Sequence, residues 1–229
     1  DRPDEALAAA RRAAAEAPTS AAALIALSYA EQANLQLEGA RDTLLAAVQA
    51  APDNAFAQAR LAELWLELGY VDRAQDAIDR ALRLAPDLER VQTVRGFIAL
   101  ARFRPGQADE AFRKAVGLDS ASPLARFGLG LASIRKGDLA RGRNDIEIAT
   151  GLDPNRSLLR SYLGKAYFAE RREPLAGEQY AIAKELDRRD PTPWFYDAIL
   201  KQSENRPVEA LRDLERSIEL NDNRAFYRS

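Results

Sequence analysis

Apolar residues recur three and four positions apart through most of the chain, as in Ala74, Ile78 and Ala81, the spacing that puts them on one stripe of a helix. No stretch alternates with the period of two that a strand requires. Sliding the sequence against itself aligns small residues at a shift of 34, at Ala6, Ala40, Ala74, Ala108, Gly142, Ala176 and Ala210. A second small column follows seven places on: Ala13, Ala47, Ala81, Ala115, Ala149, Ala183 and Ser217. A bulkier column runs between them: Ala10, Leu44, Ile78, Phe112, Ile146, Tyr180 and Leu214. The pattern predicts helices alternating about every 17 residues, roughly 13 in all, with a stub at 225–229.

Punctuation supports the same frame. Proline closes units at Pro18, Pro52, Pro86 and Pro154. Pro3, Pro105, Pro174 and Pro207 fall in the first turns of helices, where a missing N–H costs little. Gly69 and Gly137 stand where helices end and a left-handed residue is useful. Small residues at Ser28, Ala62, Gly96, Gly130, Gly164 and Ala198 allow paired helices to approach closely.

A 34-residue helix–turn–helix period with these columns resembles the tetratricopeptide repeat (TPR). The resemblance covers the whole chain and implies an all-α superhelical solenoid as one domain, 1–229. Its six full repeats are 21–54, 55–88, 89–122, 123–156, 157–190 and 191–224. Residues 1–20 form the second helix of a preceding repeat, and 225–229 open a further one. Departures occur at Arg95, where Leu is usual, at Phe103, where Gly is usual, and at Arg188 and Asp222, which replace the closing Pro.

The resemblance also implies where a partner lies. In this family ligands occupy a concave groove lined by first helices, at places 2, 5, 9, 12 and 13 of each repeat. The candidates are Tyr29, Phe56, Glu63, Phe97, Leu100, Phe127, Leu131, Arg135, Lys165, Phe168 and Phe195. An apolar strip from Phe97 through Phe127 and Leu131 to Phe168 suits a protein or peptide; burial by superhelical curvature is the competing reading for each residue. Trp194 falls on the repeat's usual core Trp place, Phe195 faces the groove, and Tyr196 is undecided. The Lys/Asn clamp by which some TPR domains hold a C-terminal carboxylate is absent: places 5, 6 and 9 read Ile25, Ala26, Tyr29, then Ala59, Arg60, Glu63, then Ser161, Tyr162, Lys165.

Composition narrows the rest. The chain has 229 residues, 47% hydrophobic and 30% charged, enough to build a core. It contains no Cys, His or Met, which excludes thiol chemistry, histidine acid–base catalysis and His/Cys metal sites. Acid pairs such as Asp76 with Asp79 and Asp145 with Glu147 read as solvated charge on second helices, so neither catalysis nor a cofactor is expected. A net charge of −2 does not point to nucleic acid, and the 35-residue RNA-reading helical repeats have a period one longer. The longest uncharged run, Ala17 to Ala30, is too short to span a bilayer. The start at Asp1, without an initiator Met, suggests an excised fragment.

The expected function is a non-enzymatic scaffold binding a protein or peptide. The segment from Pro191 to Ser229 resembles large bacterial envelope proteins in which a TPR array precedes an outer-membrane β-barrel, which implies a periplasmic role in an export or envelope assembly. The alternatives are a cytoplasmic adaptor and an array that binds copies of itself, with residues 207–229 as the self-associating end.

Overall fold

The computed structural model describes residues 3–221. Among them are thirteen α-helices and no strand: α1 Pro3–Glu16, α2 Ala21–Ala33, α3 Leu37–Ala50, α4 Ala55–Glu67, α5 Val71–Leu84, α6 Glu89–Ala101, α7 Pro105–Leu118, α8 Pro123–Arg135, α9 Leu139–Leu152, α10 Ser157–Ala169, α11 Glu173–Leu186, α12 Thr192–Ser203 and α13 Pro207–Asn221. The odd-numbered helices begin 34 residues apart without exception, and the even-numbered ones do so until α12, which starts one residue late. The chain forms two compact units, one ending at Phe103 and the other beginning at Arg104. In each, consecutive antiparallel helices pack side by side.

The turn inside each helix pair repeats one backbone device. Leu35, Gly69, Phe103, Gly137, Arg171 and Asn205, spaced 34 apart, all take positive φ, between 56° and 91°. After Leu35, Gly69, Gly137, Arg171 and Asn205 the next residue's N–H closes the helix by bonding back five residues, as from Tyr70 to Trp65 O (2.8 Å), Asp138 to Ser133 O (3.0 Å) and Arg206 to Lys201 O (2.9 Å). Glycine adopts this conformation freely; the four other residues hold it against a penalty of about 1–2 kcal/mol each. The departure at Phe103 therefore keeps the left-handed conformation of the equivalent positions. Helix starts are fixed more variously. Ser20, Asn54 and Ser122 accept from the amides of Ala23, Ala57 and Ala125 at 3.1 to 3.3 Å. Before α12, where Pro191 holds the cap position, Asp190 is buried and accepts from the Thr192 amide at 2.9 Å. Asp222 and the stub at 225–229 lie outside the described residues.

The small columns bring the helices together. Ala40, Ala74, Ala108, Ala176, Ala47, Ala81, Ala115, Ala149 and Ala183 have no exposed surface. In the second unit glycine goes further. A methyl group on Gly130 would lie 2.7 Å from the Gly142 carbonyl oxygen, and one on Gly164 would lie 2.4 Å from the Tyr180 ring. One on Gly128 would meet Phe112 at 2.1 Å. Small residues thus stand where a neighbouring large one enters. The bulky column is sealed at Leu44, Ile78, Phe112, Ile146 and Tyr180, each at most 1% exposed, and opens at its two ends, at half-buried Ala10 on α1 and at Leu214, 36% exposed on α13. Leu211 and Ile218 on the same helix are also exposed.

Two aspartates and two lysines tie α13 to its neighbours. Asp213 takes bonds from Lys201 (2.7 Å) and Lys184 (2.9 Å), and Asp197 from Lys184 (2.5 Å) with Lys201 at 3.1 Å. Burial alone would raise the Asp213 carboxyl; the hydrogen bonds and charges of the two lysines outweigh it and hold the group below the usual carboxylate range. One acidic residue departs from the sequence reading. Asp145 is buried rather than solvated, because α8 lies over it and supplies Arg126 at 3.4 Å.

Two predictions follow from this packing. Gly130→Ala should destabilise the fold by about 1–3 kcal/mol, since a backbone oxygen cannot yield, whereas Phe103→Gly should stabilise it by up to about 1 kcal/mol through lost backbone strain; urea unfolding of both variants checks the opposite signs. Because its folded pKa is depressed, Asp213 adds stability that is present above its unfolded pKa of about 3.9 and is lost as pH falls through the folded value. Asp213→Asn should cost about 1–3 kcal/mol at neutral pH and flatten the acid limb of the stability profile, read by urea midpoints from pH 7 to pH 2.

Candidate functional site

The even-numbered helices carry the candidate residues, and each unit presents a different surface. In the first unit α4 lies beside α2 and α6. The sequence AFAQARLAELWLE of α4 places Ala57, Leu61 and Leu64 in the core and turns Phe56, Arg60 and Glu63 toward the flanking helices. Arg60 is only 1% exposed, a rare degree of burial for an arginine. Its guanidinium lies 3.9 Å above the Tyr29 ring, donates to Glu63 at 2.8 Å, and donates also to Gln32. Glu63 accepts a second guanidinium, Arg90 of α6, at 2.5 Å, and Arg90 stands over Phe56 (5.2 Å) and Tyr29 (5.6 Å). Gln32 in turn donates to Glu67. One carboxylate thus joins two arginines, and two aromatic rings shield them from water.

This arrangement shifts the groups it contains. Burial raises the Tyr29 hydroxyl, against the lowering effect of Arg90. Burial would lower Arg90, but Glu63 and Tyr29 prevail and raise it. Arg60 and Arg90 each keep one buried Nε–H without a protein acceptor. Tyr29 and Phe56 remain 37% exposed, so the surface facing solvent is aromatic over two arginines that share one carboxylate.

In the second unit the corresponding surface is a run of rings. Phe127 of α8 meets Tyr162 of α10 edge-on at 5.0 Å, and Tyr162 meets Tyr196 of α12 at 5.7 Å. Tyr196 also stacks on Tyr180 at 6.3 Å and contacts Phe195 at 5.4 Å. Burial, with the neighbouring Tyr196, pushes the Tyr162 hydroxyl up to about 12, and burial raises Tyr180 as well. Lys165 rises from this floor. Its ammonium donates to the Tyr196 hydroxyl at 3.1 Å and lies 4.9 Å and 5.4 Å from the Tyr196 and Tyr162 ring centres.

The structure gathers Tyr29, Phe56 and Glu63 into the first cluster and Phe127, Lys165 and Phe195 into the second. Phe97, Leu100 and Leu131 are half-buried on α6 and α8, and Arg135 is exposed at the end of α8. Phe168 is half-buried against the Tyr180 core cluster. Phe127, expected to offer a face to a ligand, is 4% exposed because Tyr162 covers it, so its truncation acts on packing. Trp194 is half-buried with Lys184 at 4.1 Å above its ring, and Phe195 is exposed. Tyr196 links three other rings. Sequence reasoning passed over Arg60 and Tyr162 as members of a missing clamp. The signal was an arginine inside an otherwise apolar helix with a glutamate three residues on.

No family model matches the chain, and no curated protein matches it. Solved structures do. A tetratricopeptide repeat protein from Parabacteroides merdae ATCC 43184 superposes with a TM-score of 0.71 at 18% identity, over 94% of this chain and 84% of that one. The fold is that of the tetratricopeptide repeat. A chain of the APC/C hetero-tetramer Cut9–Hcn1 is similar over 99% of this chain, with a TM-score of 0.81 and 18% identity; the match spans 46% of that longer chain. PilW, a widely conserved type IV pilus biogenesis factor, is similar over 89% of this chain and 93% of its own, with a TM-score of 0.68 and 17% identity. Among the described residues no TPR helix is long and apolar enough to cross a membrane.

The ring run makes a pH prediction. A tyrosine that ionises near pH 12 when folded but near pH 10 when unfolded adds stability that is full below pH 10 and lost as pH rises to 12. Tyr162→Phe should therefore lose less stability than the parent between pH 9 and pH 12, measured by urea midpoints.

Proposed function

We propose that the chain is a non-enzymatic scaffold that binds a protein or peptide on the faces of its first helices. The observation that carries this reading is the pairing of exposed aromatic rings with held cations on those faces: Tyr29 and Phe56 around Arg60 and Arg90, and Phe195 against Tyr196, whose hydroxyl holds Lys165. Rings fixed by their neighbours lose little freedom on binding, and such anchors dominate interface energies. Of the acid pairs on the second helices, Asp145 and Glu147 are engaged in structural contacts instead, with Arg126 and Arg143. An envelope setting fits the resemblance of the segment from Pro191 onward and the fold shared with a pilus biogenesis factor. A signal peptide and a downstream run of barrel strands in the full-length gene would establish it.

A second reading has its own observation. Leu211, Leu214 and Ile218 leave an exposed apolar stripe on α13, on which another copy could pack. Sedimentation over a hundredfold concentration range, with Leu214→Glu as the control, separates the two. For the scaffold reading, Tyr29→Ala with Phe56→Ala, or Phe195→Ala, should weaken partner capture at least tenfold, since central aromatic anchors often contribute about 2 kcal/mol each. Helicity should be retained because these rings are exposed. Undiminished capture by all three substitutions would overturn the reading.

A further inference from the structure

Among the described residues Lys165 is a groove charge with no carboxylate in ion-pair reach. It occupies place 9 of its repeat, the place that Glu63 holds in the first unit. There the charge is matched, since Glu63 lies within 2.8 Å of both Arg60 and Arg90. Lys165 instead stands exposed over Tyr162 and Tyr196, and its hydrogen bond goes to a neutral phenol at 3.1 Å. No carboxylate reaches it within ion-pair distance among the described residues, although Lys184 and Lys201 in the same unit each reach two. Tyr162 cannot supply the missing charge near neutral pH, because burial keeps its hydroxyl protonated to about pH 12.

The neighbouring surface is apolar. Phe195 is 44% exposed and touches the Tyr196 ring. Ile199, exposed too, follows it by one helical turn on α12. The complement of one cation beside an aromatic and aliphatic shelf is one carboxylate beside an apolar side chain. The carboxylate of a chain terminus would call for several converging donors, and these are absent: Ser161 is fully buried and spends its hydroxyl on Ser157 O at 3.0 Å.

We propose that the α10–α12 surface recognises an internal Asp or Glu of a partner peptide, with the carboxylate on Lys165 and an adjacent apolar side chain on Phe195 and Ile199. This rests on the peptide-binding reading of the first-helix faces and adds the chemistry of the occupant.

The test uses a phage library of random linear dodecapeptides fused through their C-termini, so that no free peptide carboxylate is displayed, panned on the whole chain and on Lys165→Glu. The parent should enrich peptides with Asp or Glu near Phe, Tyr, Trp, Leu or Ile, and Lys165→Glu should replace the acid with Lys or Arg. The best parent peptide, made synthetically, should bind Lys165→Gln about fivefold more weakly, as for a solvent-accessible ion pair, and should bind the parent equally as an acid or a C-terminal amide. Unchanged melting of the Lys165 variants shows that folding is not the cause. Identical enrichment by parent and Lys165→Glu, or affinity that needs a free terminal carboxylate, overturns the assignment to Lys165 alone. A parent that enriches no peptide, or peptides whose binding ignores Tyr29→Ala, Phe56→Ala and Phe195→Ala, overturns the first-helix reading itself.

Discussion

The structure depends on how closely two helices can approach. Each helix of a pair is too short to be stable alone, so its stability comes from burying an apolar stripe against the next. That burial is efficient only where a backbone or a small side chain lies opposite a large one. Ala and Gly at fixed intervals of 34 provide the close contacts, and at Gly130 against the Gly142 carbonyl one backbone meets another. Phe112 and Tyr180 fit because Gly128 and Gly164 make room. Compensation of this kind lets the bulky column vary from leucine to tyrosine while the pairs keep the same form.

The turn between paired helices is a separate constraint with a different tolerance. It demands a left-handed residue at six equivalent positions, and glycine supplies only two. The packing on either side over-determines the turn, so leucine, phenylalanine, arginine and asparagine are held there at a local penalty. A close approach between backbones has no such latitude, because steric overlap rises far more steeply than torsional strain.

Charge on these helices follows the same logic of enclosure. The first unit buries Arg60 by giving it Glu63, Gln32 and the Tyr29 face. The second unit closes four charges around Asp213 but leaves Lys165 on a neutral floor. Two surfaces built from equivalent helix places therefore hold their charges differently.

The sequence by itself determined the helices, their period, the pairing and most of the core. Those features depend on local spacing and on the size of residues at fixed intervals, and both are written linearly. It also placed Tyr29, Phe56 and Phe195 on surfaces, because their places in the repeat fix the side of the helix they occupy. Only the tertiary structure decided which of the candidates are covered. Phe127 is hidden by Tyr162, thirty-five residues away, and Asp145 by Arg126 on the preceding helix. It likewise decided that Glu63 is shared by two arginines and that Lys165 is not neutralised, since a counter-ion is a matter of distance across helices. Burial and charge pairing depend on what stands opposite, and a repeat pattern specifies the place of a side chain without naming its neighbour.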